Sequence, residues 1–211
     1  MSANLRLAAR RAARAWGAAA LLLLPALCAA QSGGQLAYGE ASFGERVYLG
    51  AAGGFAFHDL SCPRYVDCDR NAVAARGALG IAVQPGLAVE GLVLSFGKTR
   101  SREAGFEIAN SVLLGGVAAV ALVEYGGGIV GKARLGLGGV RTHTQRRAIG
   151  SNAAASGSGV SWQPAVYAGF SLGLAVTQNL LIELHYDATS ADYVYREGRA
   201  DALTAGLSLR F

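Results

Sequence analysis

The sequence predicts an all-β protein, an eight-stranded antiparallel up-and-down transmembrane β-barrel preceded by a cleavable signal peptide. Three observations carry that prediction. The chain opens on an export signal, the remainder alternates apolar and polar residues with a period of two, and the connections between the alternating segments run long, short, long, short.

The first 30 residues stand apart. Arg6, Arg10, Arg11 and Arg14 form a basic start, and Gly17 to Ala30 is an apolar run of 14 residues. A transmembrane helix needs about 20. Cys28-Ala29-Ala30 before Gln31 suits a small-x-small cleavage site, so 1–30 reads as a signal peptide. A lipoprotein signal retaining Cys28 is the alternative, and Leu27 fits it poorly because a small residue is wanted there. Residues 31–44 are then a short periplasmic segment and 45–211 the barrel. Removing the signal takes four arginines with it and leaves 15 cations against 14 anions, so the basic balance reports the signal and not a nucleic-acid footprint. No later stretch approaches the length of a membrane helix. The nearest, Val112 to Val123, is broken by Gly115 and Gly116. If the mature chain crosses lipid it does so as closed strands, because lipid leaves no partner for unpaired backbone groups.

The strands are expected at 46–57, 71–83, 87–97, 107–122, 129–142, 160–176, 180–190 and 200–211, with connections of about 13, 3, 9, 6, 17, 3 and 9 residues. The first two are apolar runs bounded by turn chemistry. In the third, Leu92, Leu94 and Phe96 share a face with Glu90, which signals a bulge or a shifted register; the fourth, over 108–123, could also be a buried helix. The fifth sets Ala133, Leu135 and Leu137 against Lys132, Arg134, Gly136 and Gly138. The sixth sets Val166, Ala168, Phe170, Leu172 and Leu174 against Tyr167, Gly169, Ser171 and Gly173. In the seventh, Leu180, Ile182, Leu184 and Tyr186 oppose Glu183, His185 and Asp187; in the eighth, Leu203, Ala205, Leu207, Leu209 and Phe211 oppose Thr204, Gly206, Ser208 and Arg210. The short connections carry turn residues: Gln84-Pro85-Gly86, Tyr125-Gly126-Gly127-Gly128 and Thr177-Gln178-Asn179.

Period two fixes the faces. An arginine facing lipid at mid-depth costs about 2–4 kcal/mol. The charged and glycine-rich face is therefore assigned to a narrow lumen, and the apolar face to lipid. Segregating short from long connections is the habit of membrane barrels, with tight periplasmic turns and longer external loops.

On these residues the chain resembles the OmpA-like eight-stranded outer-membrane barrels, the group that includes OmpX and the opacity proteins. The resemblance spans nearly all of 45–211. It is carried by Asn179 to Asp187 as a penultimate strand, by Ala205 to Phe211 with its closing Phe, and by Tyr48-Leu49-Gly50 to Gly53-Gly54-Phe55 as a first strand. It implies that Leu207, Leu209 and Phe211 serve as the signal to the outer-membrane assembly machinery. It also implies residence in the bacterial outer membrane among lipid and lipopolysaccharide. No peptidoglycan-binding domain is expected to follow, unlike the long members.

The candidate chemistry is sparse. Cys62 and Cys68 in an oxidising compartment are expected to pair as a disulfide; two thiols without a His pair are too few for a metal. Glu90, Lys132, Arg134, Glu183, Asp187 and Arg210 are expected to form a lumen charge network, since an unpaired buried charge is costly. The rival reading makes His185 the base of a lipid A-modifying enzyme, but no Ser is expected beside it, Ser190 having the wrong parity. The long connections hold ten cations (Arg64, Arg70, Lys98, Arg100, Arg102, Arg141, Arg146, Arg147, Arg196, Arg199) against six anions. Arg100, Arg102, Arg141, Arg146, Arg147, Arg196 and Arg199 are thus candidates for lipopolysaccharide phosphate, with solvated loop tips as the plain alternative and other anionic ligands unranked. Tyr65, Phe106, Tyr125, Trp162, Tyr193 and Tyr195 fit aromatic girdles or ordinary loop packing. Gly126-Gly127-Gly128 lacks the Lys-Ser/Thr and helix of a phosphate loop. The expectation is a non-enzymatic monomer without cofactor or nucleic-acid partner, whose loops bind or shield at the cell surface. A lipid A enzyme and a narrow porin-like channel are the alternatives.

Overall fold

A computed structural model describes residues 47–58, 69–103, 105–125, 127–149, 156–193 and 196–211. The signal peptide, the 31–44 segment, Cys62, Cys68, Tyr65 and Tyr195 lie outside the described residues, as do the side chains of Tyr193 and Arg196.

Eight strands close into one antiparallel barrel in sequence order. They are β1 (Val47–His58), β2 (Asn71–Gln84), β3 (Leu87–Glu103), β4 (Phe106–Tyr125), β5 (Ile129–Ala148), β6 (Gly157–Ala175), β7 (Leu180–Tyr193) and β8 (Arg196–Arg210). The β1–β8 seam pairs Tyr48 with Arg210 through His58 with Ala200. The last residue finishes it: Phe211 N donates to Val47 O at 2.8 Å and Val47 N to Phe211 O at 3.4 Å. Closure removes the free edges that an open sheet would present.

The exterior is apolar. Leu137, Val73, Phe55, Val117, Leu207 and Phe211 are all exposed on it. The inward and outward assignments hold for β5 to β8, where Lys132, Arg134, Glu183, His185 and Asp187 are buried inside while Leu135, Leu172, Leu184 and Leu209 face out.

One alternative falls away, one ambiguity is resolved and one expectation is overturned. The 108–123 segment is the middle of β4, paired along its length with β3 and β5, and its two faces alternate Leu114, Ala118 and Val120 inward with Leu113, Val117 and Ala119 outward. On β3, Leu92, Leu94 and Phe96 do share the inner face with Glu90, all buried. The register is true because an apolar tier packs the lumen there, made by Leu94, Phe96, Val112, Leu114, Val140 and Tyr167. The bulge lies just beyond, where Ser95 opposes Leu113 but Lys98 opposes Ser111. Gly97 takes φ 72° there, a conformation that suits glycine.

The overturned expectation concerns the connections. Long and short do not alternate. The 98–106 and 191–199 stretches continue as paired hairpins, Lys98 to Glu103 against Ser111 to Phe106 and Ser190 to Tyr193 against Arg199 to Arg196. These segments are polar because they stand clear of the apolar belt, and by composition polarity at the end of a strand reads as loop. The end bearing Val47 and Phe211 does carry tight turns: Gly86 at φ 76° and the Gly127-Gly128 pair at φ 81° and 79°.

Candidate functional site

The inner wall brings together three cations and three anions. Lys132 and Arg134 project from alternate positions of β5, Glu90 from β3, Arg76 from β2, and Glu183 and Asp187 from β7; the period of two aims each inward. Glu90 is the hub. Arg134 Nε donates to its two carboxylate oxygens at 3.1 and 3.3 Å, Arg76 Nη2 donates to Oε1, and Tyr48 Oη donates to Oε2 at 2.9 Å. Arg76 Nε also lies 3.5 Å from Asp187 Oδ2, whose other oxygen accepts from Tyr167 Oη. Lys132 Nζ sits 2.7 Å from Glu183 Oε1 and 4.6 Å from the centre of the Tyr48 ring. Opposite charges match in number, which is what burial of so many ions demands.

Arg76 is the member that sequence reasoning missed. Its signal was available: Ala74, Arg76 and Ala78 are the buried set of β2, opposite Val73, Leu79 and Ile81. Arg210, placed in the network from sequence, does not join it. It faces inward one step from the chain end and pairs with Glu124 Oε1 of β4 at 3.3 Å at the barrel mouth, both half-buried.

Glycines set the lumen's width. A Cβ at Gly116 would approach Leu137 O to 2.6 Å, so β4 and β5 could not coil so tightly with side chains there. Gly80 leaves the space that the Tyr48 ring fills, and Gly169 the space for Tyr167 Oη.

A serine does stand beside His185. Ser171 is its directly paired neighbour on β6, on the same inner face. Ser171 Oγ accepts from Arg134 Nη1 at 3.1 Å, and both Ser171 and His185 are buried. Among the described residues no group of three or more His, Cys, Asp and Glu could hold a metal ion.

The outer wall carries a second constellation, at the end away from the termini. Lys98, Arg100 and Arg102 of β3 and Arg141 and Arg147 of β5 are exposed, above the apolar belt. Arg141 lies 5.9 Å from the centre of the exposed Trp162 ring. Lys98 Nζ donates to Gln145 Oε1 at 3.3 Å, bridging over β4. Glu107 is an anion on this face, 3.8 Å from Arg100. Two other candidates are already engaged. Arg146 lies over Phe106 at 3.7 Å, which takes Phe106 out of the girdle, and Arg199 Nε binds Asp201 at 2.7 Å and its Nη2 donates to Tyr186 Oη. Tyr125 and Trp162 remain exposed near opposite ends of the wall, as a girdle requires.

No family model and no curated protein matches this chain. Solved structures do. Neisserial surface protein A (NspA) is similar at TM-score 0.54 and 15% identity, over 78% of this chain and 97% of that one. Ail, the attachment invasion locus protein of Yersinia pestis, follows at 0.49 and 15%, over 79% and 97%. The N-terminal β-barrel domain of Pseudomonas aeruginosa OprF gives 0.45 and 14%, over 79% and 98%. At such identities the likeness is one of fold: the eight-stranded barrel of outer-membrane proteins.

Proposed function

We propose that this chain is a non-enzymatic protein of the bacterial outer membrane. Its barrel anchors a cationic outer rim against the phosphates of lipopolysaccharide and carries the connections above it as a binding or shielding surface. The observation that carries this reading is the placement of Lys98, Arg100, Arg102, Arg141 and Arg147 on the outer face of β3 and β5, just beyond an apolar belt, with Trp162 beside Arg141. Arginine pairs bidentately with phosphate, and an indole belongs at the boundary between acyl chains and headgroups. Under this reading the end bearing the tight turns faces the periplasm, and the Leu207, Leu209 and Phe211 face is what the assembly machinery engages.

The rim is tested with the refolded protein and purified lipopolysaccharide. Arg141→Ala with Arg147→Ala should weaken binding about tenfold or more, since two charge-assisted contacts are lost. Arg199→Ala, already held by Asp201, should change it little. Equal loss from both variants would overturn the assignment of the site.

The lipid A-modifying alternative fares less well on geometry. A Ser–His pair needs a route to its ester, and Ser171 and His185 sit behind the barrel wall with the hydroxyl oxygen already bound by Arg134. A variant His185→Ala is expected to leave lipid A structure unchanged in cells.

A further inference from the structure

We infer that the edge of β6 from Ser158 to Trp162 is a strand-addition site that takes an extended segment of a partner polypeptide. Closure stops short on this side of the barrel. β6 pairs with β5 along its length, from Ile129↔Leu174 to Arg146↔Gly157. With β7 it pairs only from Ala175↔Leu181 to Tyr167↔Thr189. Beyond that rung β7 continues with β8 alone, as far as Tyr193↔Arg196. Among the described residues, 157–166 of β6 therefore have a neighbouring strand on one side and none on the other.

Parity shows which backbone groups face the gap. Ala175 N donates to Gly128 O at the start of β5, and Val176 N donates to Leu180 O of β7. A residue of an antiparallel strand turns its N–H and C=O to the same side. Odd residues of β6 thus address β5 and even ones address β7, and neither ladder shifts register on the way up. Val166, Pro164, Trp162, Val160 and Ser158 face the gap. The lowest acceptor, Val166 O, takes Thr189 Oγ1 at 3.0 Å, and Pro164 has no N–H to leave bare. Above them Trp162, Val160 and Ser158 offer donors and acceptors at the repeat of a β-ladder. The other border of the same extension is covered, since Asp69 N donates to Arg100 O of β3 at 2.9 Å.

The occupant is a polypeptide because a β-backbone presents matching groups at that repeat. Its side chains are constrained as well. Gly157 to Trp162 are exposed on both faces. On the inner face a Cβ at Gly157 or Gly159 would meet nothing within 4 Å, so a bulky residue of the added strand finds room opposite them. On the outer face Trp162 is 67% exposed and Arg141 lies over its ring. A carboxylate opposite Trp162 would meet that guanidinium, and opposite charges across strands are favourable. The partner segment is thus acidic on one face and bulky on the other. It is independent of the lipopolysaccharide rim, with which it shares Arg141 alone.

Two measurements on the refolded full barrel test this. Hydrogen exchange reads the edge directly: the Val160 and Trp162 amides should exchange many times faster than those of Gly159 and Ser161, which address β5. Equal protection would mean that the edge is already covered, and the site would be overturned. Binding is read with a short synthetic peptide of alternating Thr and Val, carrying Glu opposite Trp162 and Tyr opposite Gly159. It should slow exchange at Val160 and Trp162. Val160→Pro should weaken it about tenfold or more, because an edge donor is lost and the ring blocks approach. That variant spares the β5 ladder as Pro164 does, so its gel mobility before and after boiling should match the parent; the exchange pattern needs no variant at all. A peptide that leaves both amides unprotected, or that binds Val160→Pro as well as the parent, overturns the inference.

Discussion

Glu90 is the residue on which the lumen turns. Its carboxylate accepts from Arg134, Arg76 and Tyr48, so neutralising it leaves two buried guanidinium groups with one fewer anion. Breaking a buried pair from one side costs about 3–5 kcal/mol. Glu90→Gln should therefore cut the unfolding free energy by about that amount, read by denaturant titration in lipid vesicles. The double change Lys132→Met with Glu183→Leu removes a whole pair and should cost less than either single change. A double variant at least as damaging as Lys132→Met alone would deny that the pair is a unit. Sequence reasoning found Lys132, Arg134, Glu183 and Asp187 because β5 and β7 alternate cleanly, and Glu90 as the one charge on the mixed inner face of β3. It missed Arg76 because β2 mixes small residues on both faces, and a row of Ala and Gly gives weak contrast. It misplaced Arg210 because parity fixes a face but not a depth; one position from the end, an inward arginine is at the mouth, where Glu124 waits.

Among the elements, β3 shows how a strand can leave the membrane zone without losing its pairing. Up to Ser95 it keeps one register with β4, and beyond the bulge it keeps another that carries six more pairs, Lys98↔Ser111 to Glu103↔Phe106. Gly97 is the hinge of that shift. Its φ of 72° disfavours any side chain, and a Cβ there would come within 2.8 Å of Ala72 Cβ. Gly97→Val should destabilise the barrel by about 1–3 kcal/mol. The same substitution at Gly77, where a Cβ would meet nothing within 4 Å, should cost far less. Comparing the two unfolding midpoints checks that the backbone, not glycine content, sets the cost. Strand count and order were legible from periodicity; strand length at the far end was not. Polar residues at 98–106 look like loop by composition, yet a hairpin standing in water needs no apolar face once the barrel below fixes its register. The apolar inner tier of β3 and β4 was equally hard to read, because a strand buried on one face and lipid-facing on the other is apolar on both.

The barrel is a closed cylinder with its exterior and interior exchanged relative to a water-soluble barrel, and its lumen is stopped twice. One stop is the balanced charge network around Glu90; the other is the apolar tier of Leu94, Phe96, Val112, Leu114 and Val140, nearer the end away from the termini. The closed, apolar-faced form should run at a different gel mobility before and after boiling in detergent, and the purified polypeptide should not stay folded without detergent. The two stops differ in what opens them, which makes conductance informative. An ion crossing the charged tier must displace paired side chains, and crossing the apolar tier means losing hydration with nothing given back. Removing one stop leaves the other intact, so the wild-type barrel and Glu90→Ala should both show no steady current in planar bilayers. Phe96→Ala with Leu114→Ala should likewise stay closed, because the ion pairs remain. Only the combination is expected to pass ions. A steady wild-type channel would mean that the packed interior opens as a unit, and the two tiers would then be gates and not plugs.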